Sequence, residues 1–258
     1  LAPRPKVSRS TATSSHPPST GGISRKSSPV ALSRLRSNEP ADVPAPVAGA
    51  IGPAPVQGLV LAAGQGTRFG GNKLLAAYRG RPLLAHVLEV VRRAQLDRLL
   101  VGGHVVVARN DEKATAVCLA AGLSPVYNDR PELGISHSLQ LGLAALENLP
   151  GTPVRAALVL LGDQPLVQLA VIEKLLGAWQ SGGVPVVRPR YLTEPQVPGH
   201  PILLDRSVWP LKEELEGDQG FAGLLASRAI PVLTLTVPDH NPDIDTGADL
   251  QALEESPP

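Results

Sequence analysis

Two loops of this chain carry residues whose types and spacing suit phosphate chemistry. The first reads Leu61-Ala62-Ala63-Gly64-Gln65-Gly66-Thr67-Arg68-Phe69-Gly70-Gly71-Asn72-Lys73. Its glycines let the backbone take positive φ and approach a ligand closely, so that successive N–H groups can face one anion. Arg68 and Lys73 add two full positive charges, as a triphosphate requires. The second loop, Gly162-Asp163-Gln164-Pro165, delivers a carboxylate at the end of the apolar run Ala156 to Leu161. A carboxylate there is posed to hold Mg²⁺ against phosphates, because magnesium prefers oxygen ligands and takes only one or two protein carboxylates. Capping the helix that follows is the competing role for Asp163.

The first loop is neither of the two commonest nucleotide loops. A Walker loop needs Ser or Thr after its lysine, and Leu74 follows Lys73. A dinucleotide fingerprint needs a third glycine where Phe69 stands.

The elements that position these loops are legible as alternating strands and helices. Val56 to Ala62 and Ala156 to Leu161 are apolar runs expected as strands buried on both faces. Further strands are expected over 99–108, 124–127, 184–190, 202–204 and 230–237. Helices are expected from Pro82 onward, over 111–121, from Gly134 to Glu147, from Gly217 to Ser227 and from Asp249. Such alternation implies βαβ crossovers: an α/β, Rossmann-like three-layer sandwich with a mostly parallel central sheet, its ligands outside the carboxyl ends of the strands.

Three later stretches are candidates for the same edge. Gly134-Ile135-Ser136-His137-Ser138 opens a helix, where Ser136 and Ser138 could cap the helix or meet a ligand. Gly199-His200-Pro201 should leave the His200 backbone exposed, whereas His86 and Cys118 sit on helices and read as structural. In Asn241-Pro242-Asp243-Ile244-Asp245-Thr246, the two acids alternate about Ile244 and so point to similar sides of an extended segment, with capping by Asp245 or Thr246 as the plain alternative.

In order and spacing these stretches resemble the MobA-like nucleotidyltransferases. That resemblance runs over residues 56 to 254 and rests on the Gly-rich loop, Gly-Ile-Ser-x-Ser-Leu, Gly-Asp-Gln-Pro and Asp-Ile-Asp-Thr-x-x-Asp, with Asn72 replacing the usual Pro before the lysine. It implies that Leu61, Ala62, Ala63, Gly64, Gly66, Thr67, Arg68, Lys73, Ser136 and Ser138 bind the nucleotide. It also implies that Asp163 and Asp245 hold Mg²⁺, that His200 lies near the acceptor, and that Arg68, Lys73 and Asp163 carry catalysis. The nearest branch is similar to molybdenum cofactor cytidylyltransferase, which implies CMP transfer from CTP to the phosphate of molybdopterin, with a molybdenum hydroxylase as a receiver of the product. Guanylyl relatives usually carry Gly where this chain has Ala63. A Cβ there would favour a pyrimidine by about 1–3 kcal/mol at best. The alternatives are GTP with the same acceptor, a sugar-phosphate or isoprenoid-precursor acceptor, and a non-catalytic nucleotide-binding module.

Composition bounds the rest. The 258 residues suffice for one large α/β domain, expected over 55–258, and with 3% aromatics and no methionine its core must be Leu, Val, Ile and Ala. Cys118 is the single cysteine, which excludes an intramolecular disulfide and fits a reducing, cytoplasmic setting. No apolar run reaches the roughly 20 residues of a membrane span. Residues 1–54 read as a disordered Ser/Pro/Arg-rich tail and linker. A transit peptide, a nucleic-acid-binding arm and a start placed too early compete as its explanation, the last being favoured. Seven of the 24 basic residues precede Ser37 with no acid among them, leaving 17 against 23 acids, a balance that speaks against nucleic-acid binding by the domain.

Overall fold

The computed structural model describes residues 55–255 apart from Gln65, Gln219, Asp239 and the side chain of Thr67. The reading of 1–54 as a tail lies outside them. In chain order the elements are β1 (Val56–Ala62), the ribbon β2 (Ala77–Tyr78) and β3 (Arg81–Pro82), α1 (Leu83–Leu96), β4 (Gly102–Ala108), α2 (Glu112–Ala120), β5 (Ser124–Asn128), α3 (Ile135–Glu147), β6 (Ala156–Leu161), α4 (Leu169–Gln180), β7 (Val186–Tyr191), β8 (Ile202–Asp205), α5 (Gly220–Ser227), β9 (Val232–Val237) and α6 (Gly247–Glu255). Pro82 ends the small ribbon instead of opening a helix; α1 begins one residue later. Likewise α6 begins at Gly247, two residues before the expected Asp249.

Seven strands form the central sheet in the order β5-β4-β1-β6-β8-β7-β9. All neighbours are parallel except β8, which pairs antiparallel with both β6 and β7. The reason is local: β7 and β8 are joined by a loop without a helix, and a chain that turns back without a crossover must run antiparallel.

Strand β1 is buried along its whole length, and its alternation feeds two cores. Val56, Val60 and Ala62 pack with α1, α2 and α4 on one face, through Leu84, Val87, Leu88, Cys118, Ile172 and Leu175. Leu59 and Leu61 pack on the other face with Leu139 and Leu143 of α3 and Phe221 and Leu225 of α5. Each such fully buried Leu or Val contributes about 1.5–3 kcal/mol relative to exposure, so the middle of the sheet is its most strongly held part. Helices on both faces of a mostly parallel sheet give the three expected layers.

This topology fixes where a ligand can lie. The chain leaves β1 for β4 on one side and later places β6 on the other. The loops after β1 and β6 therefore diverge, and the crevice outside their carboxyl ends is the topological switch point. Both chemistry-bearing loops open into it.

Candidate active site

The glycine loop leaves β1 as a series of tight turns. Gly66 holds φ +58°, and a Cβ there would lie 2.8 Å from the Gly71 carbonyl oxygen, so only glycine fits without strain. The turns bring Lys73 back beneath the loop, where its ammonium meets Asp163 Oδ2 at 2.5 Å and Asp245 Oδ1 at 2.9 Å. Arg68, mostly exposed, donates from Nη1 to Asp245 Oδ2 at 2.9 Å. Burial works against the charge on Lys73, but Asp163 and Asp245 outweigh it and hold the ammonium above the ordinary lysine value. In return, the hydrogen bond from Lys73 holds the Asp245 carboxyl below its ordinary value.

Asp163 sits where β6 ends. Gly162 makes the close passage possible: a Cβ there would meet Leu61 O, Leu84 Cδ1 and Ala62 Cβ at 3.2–3.3 Å. Asp163 caps no helix, since α4 starts at Leu169. Its carbonyl accepts from Ile244 N, which draws the 241–245 segment against the end of β6. Asp245 is also free of capping duty. Thr246 and Asp249 perform that task reciprocally, Asp249 Oδ2 accepting from Thr246 N and Asp249 N donating to Thr246 Oγ1. Asp243 faces the same cleft as Asp245, as the alternation required. Burial, then the nearby Asp163 charge, raise its pKa, although it accepts from Gln164 Nε2. Gln164 in turn accepts from Asn241 Nδ2, so one amide ties both ends of the 241–243 stretch to the Gly-Asp-Gln-Pro loop. Nothing in the local sequence announced that bridge.

These groups line one cleft of about 620 Å³, open to solvent, together with Leu61 to Gly64, Gly66, Ser138, Glu132 and Asp218. A second hollow of about 360 Å³ adjoins it past Ala62, Ala63 and Gly64, toward Asn72 and Asn110. Ala63 is buried among the α3-side core and borders both. Asp163 and Asp245 already converge on one cation, the Lys73 ammonium, and offer only hard oxygen donors. That donor set suits a divalent ion. Among the described residues, no three His, Cys, Asp or Glu side chains gather to hold an ion by themselves.

Two expectations are corrected. The first two backbone donors of α3 are already engaged, although Gly134 and Ile135 line the cleft: Ile135 N donates to Asp218 Oδ1 and Ser136 N to Gly217 O. Ser136 is buried and outside the cleft lining, whereas Ser138 reaches the cleft while its Oγ accepts from the buried Asn128. The His200 backbone is not exposed either. Its carbonyl accepts from Tyr191 Oη and Asn241 Nδ2, and the His200-Pro201 peptide is cis. Desolvation lowers the His200 pKa to about 4, Asp163 pulling it up and Arg188 pushing it down, so the imidazole is neutral at pH 7. His86 meets Tyr78 O at 2.8 Å, and Cys118 is buried with its thiol pushed up to about 11 by desolvation; both are structural, as expected.

A model of the MobA-like NTP transferase domain matches residues 58–232. The chain belongs to this family of nucleotidyltransferases. It is 32% identical to nicotine blue oxidoreductase of Paenarthrobacter nicotinovorans over 208 residues, covering 78% of this chain and 94% of that one. It is 35% identical to the bifunctional protein GlmU of Rhizorhabdus wittichii over 134 residues, which is 51% of this chain but 28% of GlmU, so it spans well under a third of that relative's length. Among solved structures it is similar to Rv0371c of Mycobacterium tuberculosis H37Rv, with a TM-score of 0.66 and 27% identity over 80% of this chain and all of that one. That protein has also been solved in complex with manganese. No helix among the described residues is long and apolar enough to cross a membrane.

Proposed function

We propose that this nucleotidyltransferase moves CMP from CTP to the phosphate of the molybdenum cofactor, molybdopterin, releasing pyrophosphate. The observation that carries the reading is the meeting of Lys73, Asp163 and Asp245 at the mouth of the glycine loop. Arg68 and Lys73 hold the β- and γ-phosphates, and Leu61 to Gly64, with Ser138, line the nucleoside side of the cleft. Asp163 and Asp245 would hold Mg²⁺, whose charge, when bound, offsets that of the phosphates; that Rv0371c has been solved in complex with manganese is in keeping with a divalent ion in this fold. An oxygen of the acceptor phosphate forms a bond to the α-phosphorus as the bond from that phosphorus to the pyrophosphate oxygen breaks. The acceptor is already ionised, so no general base is required. Lys73 and Arg68 neutralise the charge that grows on the leaving pyrophosphate, and positioning supplies the remainder. In this reading His200, kept neutral by desolvation, lies toward the acceptor and adds no charge there.

The nicotine blue oxidoreductase relative favours a second reading, in which the same cleft holds the diphosphate of a redox dinucleotide. Equilibrium binding of CTP, GTP, UTP, ATP and NADH to the full chain with Mg²⁺ separates the two. Preference for CTP is expected. Preference for GTP would move the assignment to guanylyl transfer and refute the steric argument at Ala63, UTP would point to sugar phosphates, and NADH to reduction.

A further inference from the structure

The far side of Asp163, away from Lys73, carries positive charge that the nucleotide reading does not use. Residues 186, 188 and 190 of β7 share one face of the sheet, and Val186 assigns that face to the α3 and α5 side. Arg188 and Arg190 therefore project from neighbouring positions on the face that also carries Leu59 and Leu61. The parallel register with β9 sets Thr234 beside Arg188 and Thr236 beside Arg190. Two arginines and two threonines thus stand at paired positions of one face, toward the carboxyl end of the sheet.

Neither arginine has an ion pair or side-chain hydrogen bond among the described residues, and the Nε of half-buried Arg188 is shielded from solvent without a partner. A desolvated donor without a partner costs about 1–3 kcal/mol. Two like charges two residues apart add repulsion, and burial, then Arg190, push the Arg188 pKa down. An anion lying across these positions would relieve both. The patch lies at the same edge of the sheet as Asp163: β8 pairs antiparallel with both β6 and β7, Ile202 opposite Val159 and Leu203 opposite Val187, so the carboxyl ends of β6 and β7 lie side by side across the start of β8.

We propose that Arg188 and Arg190, with Thr234 and Thr236, form the anion-binding subsite of the acceptor substrate and take a phosphate ester. This rests on the nucleotidyl-transfer reading for the word acceptor, but not for the anion site itself. Guanidiniums bind phosphate through paired N–H groups, and the hydroxyls of threonine supply neutral donors beside them.

The test titrates inorganic phosphate into the full chain saturated with CTP and Mg²⁺, so that the nucleotide loop is filled. Binding is expected, weakened about tenfold or more in Arg188→Gln/Arg190→Gln and restored in part by Arg188→Lys/Arg190→Lys. Arg190 is exposed, so Arg190→Gln alone leaves the fold intact and should still weaken phosphate severalfold. With molybdopterin, the same variant should raise KM for the acceptor and leave KM for CTP unchanged. Unchanged phosphate affinity in Arg190→Gln and in the double glutamine variant, or no phosphate binding to the CTP-saturated wild type, would overturn the subsite. Should CTP itself fail to bind, the nucleotide reading falls, while phosphate binding that depends on Arg188 and Arg190 still supports the anion site.

Discussion

On either side of Asp163 the sheet edge is built on opposite electrostatic terms. Toward β1 both cations are matched: Lys73 lies between two carboxylates and Arg68 closes on one of them. Toward β7 the charges are unmatched, with Arg188 and Arg190 side by side and His200 neutral. The difference teaches how a ligand can enter each half. In the matched half, Lys73 would have to exchange its carboxylate partners for phosphate, and on the proposed reading Asp163 and Asp245 would then hold a divalent cation in its place. In the unmatched half an anion needs no exchange. Metal dependence should therefore belong to the nucleotide half alone.

The most forceful way to break this comparison is to remove its shared pivot. Asp163→Ala should lower turnover by about 10²–10³-fold or more while the far-ultraviolet circular dichroism stays native, since Asp163 neither caps a helix nor belongs to the core. Near-normal turnover in a pyrophosphate-release assay would remove the carboxylate from the chemistry.

A subtler variant acts on the matched half through pH. Lys73, held above its ordinary pKa, contributes stability that is fully present below the ordinary lysine value and is lost as pH rises through the folded value. Asp245, held below its ordinary pKa, contributes stability that is present above the ordinary aspartate value and is lost as pH falls through the folded one. Lys73→Gln should erase the alkaline slope, shrink the acidic one that Arg68 alone then supports, and leave Asp163 and Asp245 repelling each other at neutral pH, which melting curves across pH would show. Unaltered slopes would mean that the pairs contribute nothing measurable, as exposed pairs often do.

The smallest effect sharpens the boundary between the halves. Gln164→Leu cuts the bridge between Asn241 and Asp243 and should destabilise the chain by about 1–2 kcal/mol, read from denaturant midpoints. It should weaken metal-dependent CTP binding more than phosphate binding at Arg188, because the bridge positions the segment that carries Asp245.

How far the sequence revealed this arrangement follows the same division. The β1 loop and the β6 end were legible because strands buried on both faces read as unbroken apolar runs. Asp163 and Lys73 were placed at one sheet edge by that reasoning and Asp245 by the family resemblance alone, and the structure brings the three together. The other half depends on register. Arg188 and Thr234 become neighbours only through strand pairing, and no local signal marks two arginines that lack partners. His200 was misread because a Gly-His-Pro turn looks exposed, whereas Tyr191 and Asn241 engage its carbonyl. The free backbone donors expected at Ile135 and Ser136 are taken by Asp218 and Gly217, from a loop remote in sequence.

The central claim is that Asp163 and Asp245 form a divalent-ion site joined to the nucleotide cradle. It is tested most directly by the Kd of CTP for the full chain, with and without Mg²⁺, in the wild type and in Asp163→Asn. A large Mg²⁺-dependent gain in affinity that disappears in Asp163→Asn is the predicted result. An equal gain in both proteins, or none in the wild type, would contradict it.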